Sequence, residues 1–271
     1  MSLRVSVLFS VLLTLFGCQT KQESTLCMGN QQEAPVTNTE TSESLAPSSA
    51  EPAHTTSRRA KRVIKQTRNA VVEVYNPIKG ARGTGTYFEF KDRHIVITAA
   101  HVVDGANVLN IVTPRNETAS AMVMLFDLRT PNDYAVLVLE KELETRVPME
   151  LKLRERTDQL IGENLIYTGN PGHHRNMTFF GRVSGFETDG SILMHSYTWG
   201  GASGSGVFDE RGRLVGVLKA VDMNRNRFSP YPQITEDMVW LAPAWGISLN
   251  KVEALLKIQE LINEFNDMGD N

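Results

Sequence analysis

The run Gly200-Gly201-Ala202-Ser203-Gly204-Ser205-Gly206 sets a serine among glycines. Glycine lets the backbone turn tightly and approach another molecule without a Cβ in the way. Directly after it, Val207 to Val217 reads as strand, turn and strand, a hairpin able to hold the serine rigidly. A serine hydroxyl is a weak nucleophile unless a base lies within hydrogen-bond reach and a third group orients that base. Of the six histidines, His54 falls in a Ser/Thr-rich stretch, His173 and His174 in a Pro-Gly turn, and His94 and His195 at strand positions that suit structural roles. His101 is different: Ile95-Val96-Ile97-Thr98 runs into the small residues Ala99 and Ala100 and delivers an imidazole at the strand's end. Asp133 leads the apolar strand Tyr134 to Leu139, a setting that partly buries and aims its carboxylate, with Asp127 as the alternative orienting acid. Such a set would carry out attack by serine, with the proton relayed through histidine.

The elements that must position these residues are short. Val71–Tyr75, Thr84–Phe90, His94–Thr98, Val108–Thr113, Ala121–Phe126, Tyr134–Leu139, Asn164–Thr168, Thr178–Ser184, Ile192–His195, Gly206–Phe208 and Leu214–Val221 read as strands. Turn residues such as Asn76-Pro77, Asp104-Gly105 and Asn170-Pro171-Gly172 separate them. Eleven short strands at this spacing predict an all-β barrel or sandwich. The one long helix predicted is the last element, where Val252, Leu255, Leu256, Ile258, Leu261, Ile262 and Phe265 recur at helical steps, and Asn250 with Glu253 offers a capping box.

Composition narrows the classes. Hydrophobic residues at 41% and charged residues at 22% fit a globular protein, and 28 Lys and Arg against 31 Asp and Glu give no case for nucleic acid as a partner. The only cysteines, Cys18 and Cys27, lie far from the strands, so the domain folds without a disulfide. Residues 1–18 place Arg4 before an apolar run from Val5 to Phe16, too short to span comfortably and suited to an export signal. Leu15-Phe16-Gly17-Cys18 resembles the bacterial lipobox, although Phe16 is bulkier than that motif usually has there. Acylation of Cys18 would anchor an exported protein to a membrane of the bacterial cell envelope. Residues 31–57 hold ten Ser or Thr, three Pro and no aromatic residue, so 19–60 is expected to be a disordered tether and 61–271 the folded domain. The cluster Arg58-Arg59-Ala60-Lys61-Arg62 reads as the solvated start of a short helix, with a processing site or a membrane-surface contact as alternatives.

Thr98-Ala99-Ala100-His101, Asp133-Tyr134-Ala135-Val136-Leu137 and Gly201-Ala202-Ser203-Gly204-Ser205-Gly206 resemble the His, Asp and Ser blocks of the trypsin/chymotrypsin superfamily, closest to its bacterial HtrA-like (DegP-type) branch. The order His, Asp, Ser agrees, at intervals of 32 and 70 residues. So do Gly83-Thr84-Gly85-Thr86, the stretch from Gly162 to Gly172, and Ala244-Trp245-Gly246-Ile247, and the likeness covers about residues 62 to 260. The resemblance implies an all-β double antiparallel barrel with a C-terminal helix, His101 and Asp133 on the first barrel and Ser203 on the second. It implies a serine endopeptidase acting on proteins or peptides, in which Ser203 attacks, His101 carries the proton and Asp133 fixes the imidazole. Backbone N–H groups of Gly201 and Ser203 would form the oxyanion hole, and neither a metal nor an organic cofactor is needed.

Departures from the family pattern bear on this reading. Ala202 is the second residue of the Ser block, and Ser205 stands where a glycine is usual. Tyr197, six residues before Ser203, occupies the place where trypsin-like enzymes carry an aspartate, so a preference for Arg or Lys is not supported. Lys219 is a further candidate for the border of the specificity pocket. No PDZ domain is expected after the last helix. The competing functional class is a trypsin-fold binding module with weak or absent turnover.

Overall fold

The computed structural model of the chain describes residues 56–172, 174–224 and 233–269. The expected signal, the lipobox with Cys18, almost all of the expected tether, His54 and His173 lie outside the described residues.

Helix α1 (Arg58–Ala70) comes first. The Ser57 hydroxyl caps it by accepting from the Ala60 N–H at 3.0 Å, and Ala60, Val63, Thr67 and Ala70 form its buried stripe. The cap makes Arg58 to Ala60 helical, so the folded part starts ahead of the boundary expected at residue 61. Strands β1 (Val71–Asn76), β2 (Ala81–Phe90), β3 (Arg93–Thr98), β4 (Val108–Val112), β5 (Thr118–Asp127) and β6 (Tyr134–Leu139) follow, with a helical turn α2 (Ala100–Val103) after β3. Their ring order is β1-β4-β5-β6-β3-β2, closed by antiparallel pairing of β1 with β2. Strand β7 (Met149–Glu150) adds a short parallel pairing to β2. The second barrel is closed in the order β10-β13-β12-β11-β8-β9, from β8 (Asn164–Gly169), β9 (Met177–Phe186), β10 (Ile192–His195), β11 (Gly206–Asp209), β12 (Leu214–Asn224) and β13 (Gln233–Pro243). Helix α3 (Leu249–Gly269) ends the described chain.

The structure is therefore the expected all-β double antiparallel barrel with a C-terminal helix. Two strands were not foreseen. Met149–Glu150 is too short to show a period, and β13 opens on Gln233-Ile234-Thr235-Glu236-Asp237, whose two acids interrupt the apolar signal. The cap of α3 also differs: Ser248, rather than Asn250, accepts from the Lys251 N–H at 3.3 Å.

Each barrel has its own core, and the first core reaches into the second barrel. Ile166, Phe208, Leu214, Val217 and Ala242 belong to the cluster centred on Tyr87, Phe88, Ile97 and Leu137. Phe208, almost wholly buried, tilts against Phe88 with ring centroids 6.1 Å apart across the seam. Phe208→Ala is expected to destabilise the fold by about 3 to 5 kcal/mol through the cavity left between the barrels, read as a lower denaturation midpoint.

Candidate active site

The register of β3 on β6, Thr98 opposite Ala135, brings the residues just after one strand and just before the other to the same barrel end. There α2 begins. The Asp133 carboxylate accepts from the His101 backbone N–H at 3.0 Å through Oδ1 and stands 2.7 Å from His101 Nδ1 through Oδ2. With the proton on Nδ1, the contact is a charge-assisted hydrogen bond that leaves Nε2 as an acceptor. Asp133 is 8% exposed, whereas the His101 side chain is 40% exposed and open to a partner. The far end of α2 is held by Asn76, whose buried amide donates to the carbonyls of Val102 and Asp104, each at 3.1 Å.

Asp127, the alternative orienting acid, is committed elsewhere. It accepts from the Arg129 guanidinium at 2.9 and 2.8 Å and from Asn132 at 3.1 Å. The hydrogen bonds from Arg129 hold its carboxyl down to about 2.

Ser203 lies in the segment between β10 and β11, pinned from both barrels. The second barrel contributes Gly204 N–H to Leu218 O at 2.7 Å and Leu218 N–H to Ser205 O at 2.9 Å. From the first, Thr84 donates its N–H to Ser203 O and its hydroxyl to Gly201 O, both at 2.8 Å, while accepting from Asn170 N–H at 3.0 Å. Thr98 Oγ1 donates to Thr84 O at 2.7 Å, so the strand leading to His101 and the segment holding Ser203 share one network. Thr84, Thr98 and Asn170 are the positioning residues that sequence reasoning did not single out. The alternation Gly83-Thr84-Gly85-Thr86 was their one signal, since small residues and hydroxyls in a strand interior mark a close backbone approach.

Both departures in the Ser block have a structural account. Ser205 is fully buried and its hydroxyl donates to Ala202 O at 2.7 Å, and Ala202 packs in the second barrel's core. Gly201 has a φ of +96°, and a Cβ there would fall 2.6 Å from Asn170 O. Gly200 O accepts from Gly172 N–H at 2.6 Å, and Ala202 O from the Ser205 N–H at 3.0 Å. Because a trans peptide points its C=O and N–H in opposite directions, the N–H groups of Gly201 and Ser203 are turned away from those contacts. Neither has an acceptor among the described residues. A cavity of about 320 Å³ opens beside Gly201, with Arg82, Gly83, Asn170 and His174 in its wall. No hydrogen bond joins the Ser203 hydroxyl to the His101 ring among the described residues.

Tyr197 presents a ring that is 55% exposed and lies 5.8 Å from Phe179, while its carbonyl accepts from the Tyr167 hydroxyl. Lys219 sends its ammonium to Ser191 Oγ at 2.6 Å and Pro131 O at 3.3 Å, with Asp189 3.9 Å away. Hydrogen bonds from Ser191, with the Lys219 charge adding to them, hold the Asp189 carboxyl below the ordinary range.

Two closed six-stranded antiparallel barrels followed by a C-terminal helix define a trypsin-like fold. Residues 83–217 match the trypsin-like peptidase domain family. Among solved structures it is similar to the serine endoprotease from Yersinia pestis, at 21% identity and a TM-score of 0.56, over 73% of this chain and 66% of that one. It is also similar to the Rv3671c protease in its inactive form, at 19% identity and a TM-score of 0.51, over 72% of this chain and 91% of that one. No curated protein matches the sequence.

Proposed function

We propose that the chain is a serine endopeptidase that cleaves exported or envelope proteins. The observation that carries this reading is the two-point hold of Asp133 on His101, at 3.0 and 2.7 Å, at the barrel end against which the Ser203 backbone docks through Thr84. In the proposed reaction Ser203 Oγ bonds to the scissile carbonyl carbon while its proton passes to His101 Nε2, and Asp133 stabilises the imidazolium. The carbonyl oxygen takes up negative charge and is met by the free N–H groups of Gly201 and Ser203, worth roughly 3 to 4 kcal/mol for each donor. The C–N bond then breaks, the amine leaves with the proton from His101, and water hydrolyses the acyl-enzyme by the same relay.

Tyr197 and Lys219 border the proposed side-chain pocket. Because the Lys219 ammonium is already shared with Ser191, Pro131 and Asp189, the exposed Tyr197 ring favours an apolar side chain over an acidic one. Residues 1–18 as an export signal with a lipid anchor at Cys18, and the stretch up to Ser57 as a tether, complete the proposal.

The test is labelling of the purified chain with a fluorophosphonate, which requires an activated serine and an assembled oxyanion hole. Wild type is expected to label, and Ser203→Ala and His101→Ala to lose at least 99%, about a hundredfold or more. A folded wild type that does not label would instead support a trypsin-fold binding module. One observation favours that second reading: the Ser203 hydroxyl makes no hydrogen bond to His101 among the described residues. Such contacts are often long before substrate arrives.

A further inference from the structure

Helix α1 carries Arg58, Arg59, Lys61, Arg62, Lys65 and Arg68 and no acidic residue. Outside it the chain has 22 Lys and Arg against 31 Asp and Glu, a formal charge of -9, so α1 concentrates positive charge on an otherwise acidic protein. At about 100° per residue, Arg58, Lys61, Arg62, Lys65 and Arg68 fall within an arc of about 120°, opposite the buried stripe of Ala60, Val63, Thr67 and Ala70. All six cations are exposed, and none makes an ion pair among the described residues. Arg68 alone is engaged, donating to Asn176 O at 2.7 Å.

Helix stability does not explain this arrangement. A solvated helix face gains from acids and bases spaced four apart, and its first turn favours acids, because the N-terminal N–H groups carry partial positive charge. Here the first turn holds cations and no acid. The five cations lie along about 15 Å of a straight helix, a tangent surface suited to a plane of negative charge. We infer that the exposed face of α1 is a docking surface for anionic phospholipid headgroups, with Arg58, Lys61, Arg62 and Lys65 as its principal contacts. A membrane rather than a nucleic acid is favoured by the apolar run Val5 to Phe16 and Cys18 in the same chain, and by the acidic charge of the remainder, which opposes wrapping by a polyanion.

The test is flotation of the full chain with vesicles of phosphatidylcholine alone or with about a third phosphatidylglycerol. Any contribution of the apolar run acts on both. Affinity for the anionic vesicles is expected to exceed that for neutral ones on the order of a hundredfold, and to lose that excess at about 0.5 M salt. The variant Arg58→Gln/Lys61→Gln/Arg62→Gln/Lys65→Gln is expected to lose the excess while binding neutral vesicles as before. Its thermal midpoint should equal or exceed the wild type's, since the cations leave the positive helix end. Equal partition of the wild type between the two vesicle types overturns the proposal, and so does a folded variant that keeps the preference. Binding of duplex DNA through the same four residues, with no preference for anionic vesicles, overturns it in favour of nucleic acid. None of these readouts depends on peptidase activity, so this inference and the proposed reaction fail separately.

Discussion

Asp133→Asn is expected to lower kcat on a peptide substrate about 10⁴-fold, with KM nearly unchanged and the fold intact. The carboxylate accepts two hydrogen bonds at once, from His101 Nδ1–H and from the His101 backbone N–H. An asparagine keeps one acceptor and adds a donor. If its NH₂ faces the ring, Nδ1 must become the acceptor and the proton moves to Nε2, the nitrogen that has to receive the Ser203 proton. If its oxygen faces the ring, the NH₂ confronts the backbone N–H that starts α2. Either arrangement removes the base or displaces it. Steady-state kinetics beside a thermal melt separates the outcomes: a loss below about tenfold in kcat would reduce Asp133 to a support for α2.

Gly204→Ala is expected to remove both activity and a large part of the stability. Gly204 has a φ of +91°, and a Cβ there would lie 2.1 Å from Thr84 O, 2.2 Å from Thr98 Oγ1 and 2.9 Å from Ala99 N. Two of these are backbone atoms of the first barrel, so the methyl group can be accommodated only by lifting the Ser203 segment. That movement breaks the Thr84 N–H to Ser203 O and Gly204 N–H to Leu218 O bonds, now 2.8 and 2.7 Å. The expected cost is about 3 to 5 kcal/mol, at the upper end for one substitution. A shift of about 1 Å at the nucleophile costs a further factor of about 10² in rate. Thermal denaturation and fluorophosphonate labelling measure the two effects. A variant that melts like the wild type and labels fully would mean that the barrels part more easily than their contacts suggest.

Both expectations start from features legible to different degrees in the sequence. The strand Ile95 to Thr98 and the all-buried β6 were readable because a fully buried strand is an apolar run bounded by small or polar residues, and both candidate residues sit at such boundaries. The glycine-flanked serine was readable for its composition, but the reason Gly204 must be glycine was not. It depends on Thr84 and Thr98, more than a hundred residues earlier in the chain. Lys219 was readable as a candidate, but not its partners Ser191 and Pro131, which lie 28 and 88 residues away. Strand β13 was missed because its register on β10 and β12, not its own pattern, makes Gln233–Pro243 a strand.

The first and last described helices cross the seam in opposite senses. Helix α1 leads into the first barrel, yet lies against β8 of the second, with Thr67 and Thr168 hydroxyls 2.8 Å apart. Helix α3 follows the second barrel, yet buries Val252 and Leu256 in the core of the first, where Lys91 and Glu253 pair at 3.6 Å. Each half is thus belted by a segment belonging to the other. Neither half can swing as a free leaf of a hinge, and widening the gap between them requires a strap to come undone. Any opening between the two halves is therefore set by the fold itself and not by a hinge.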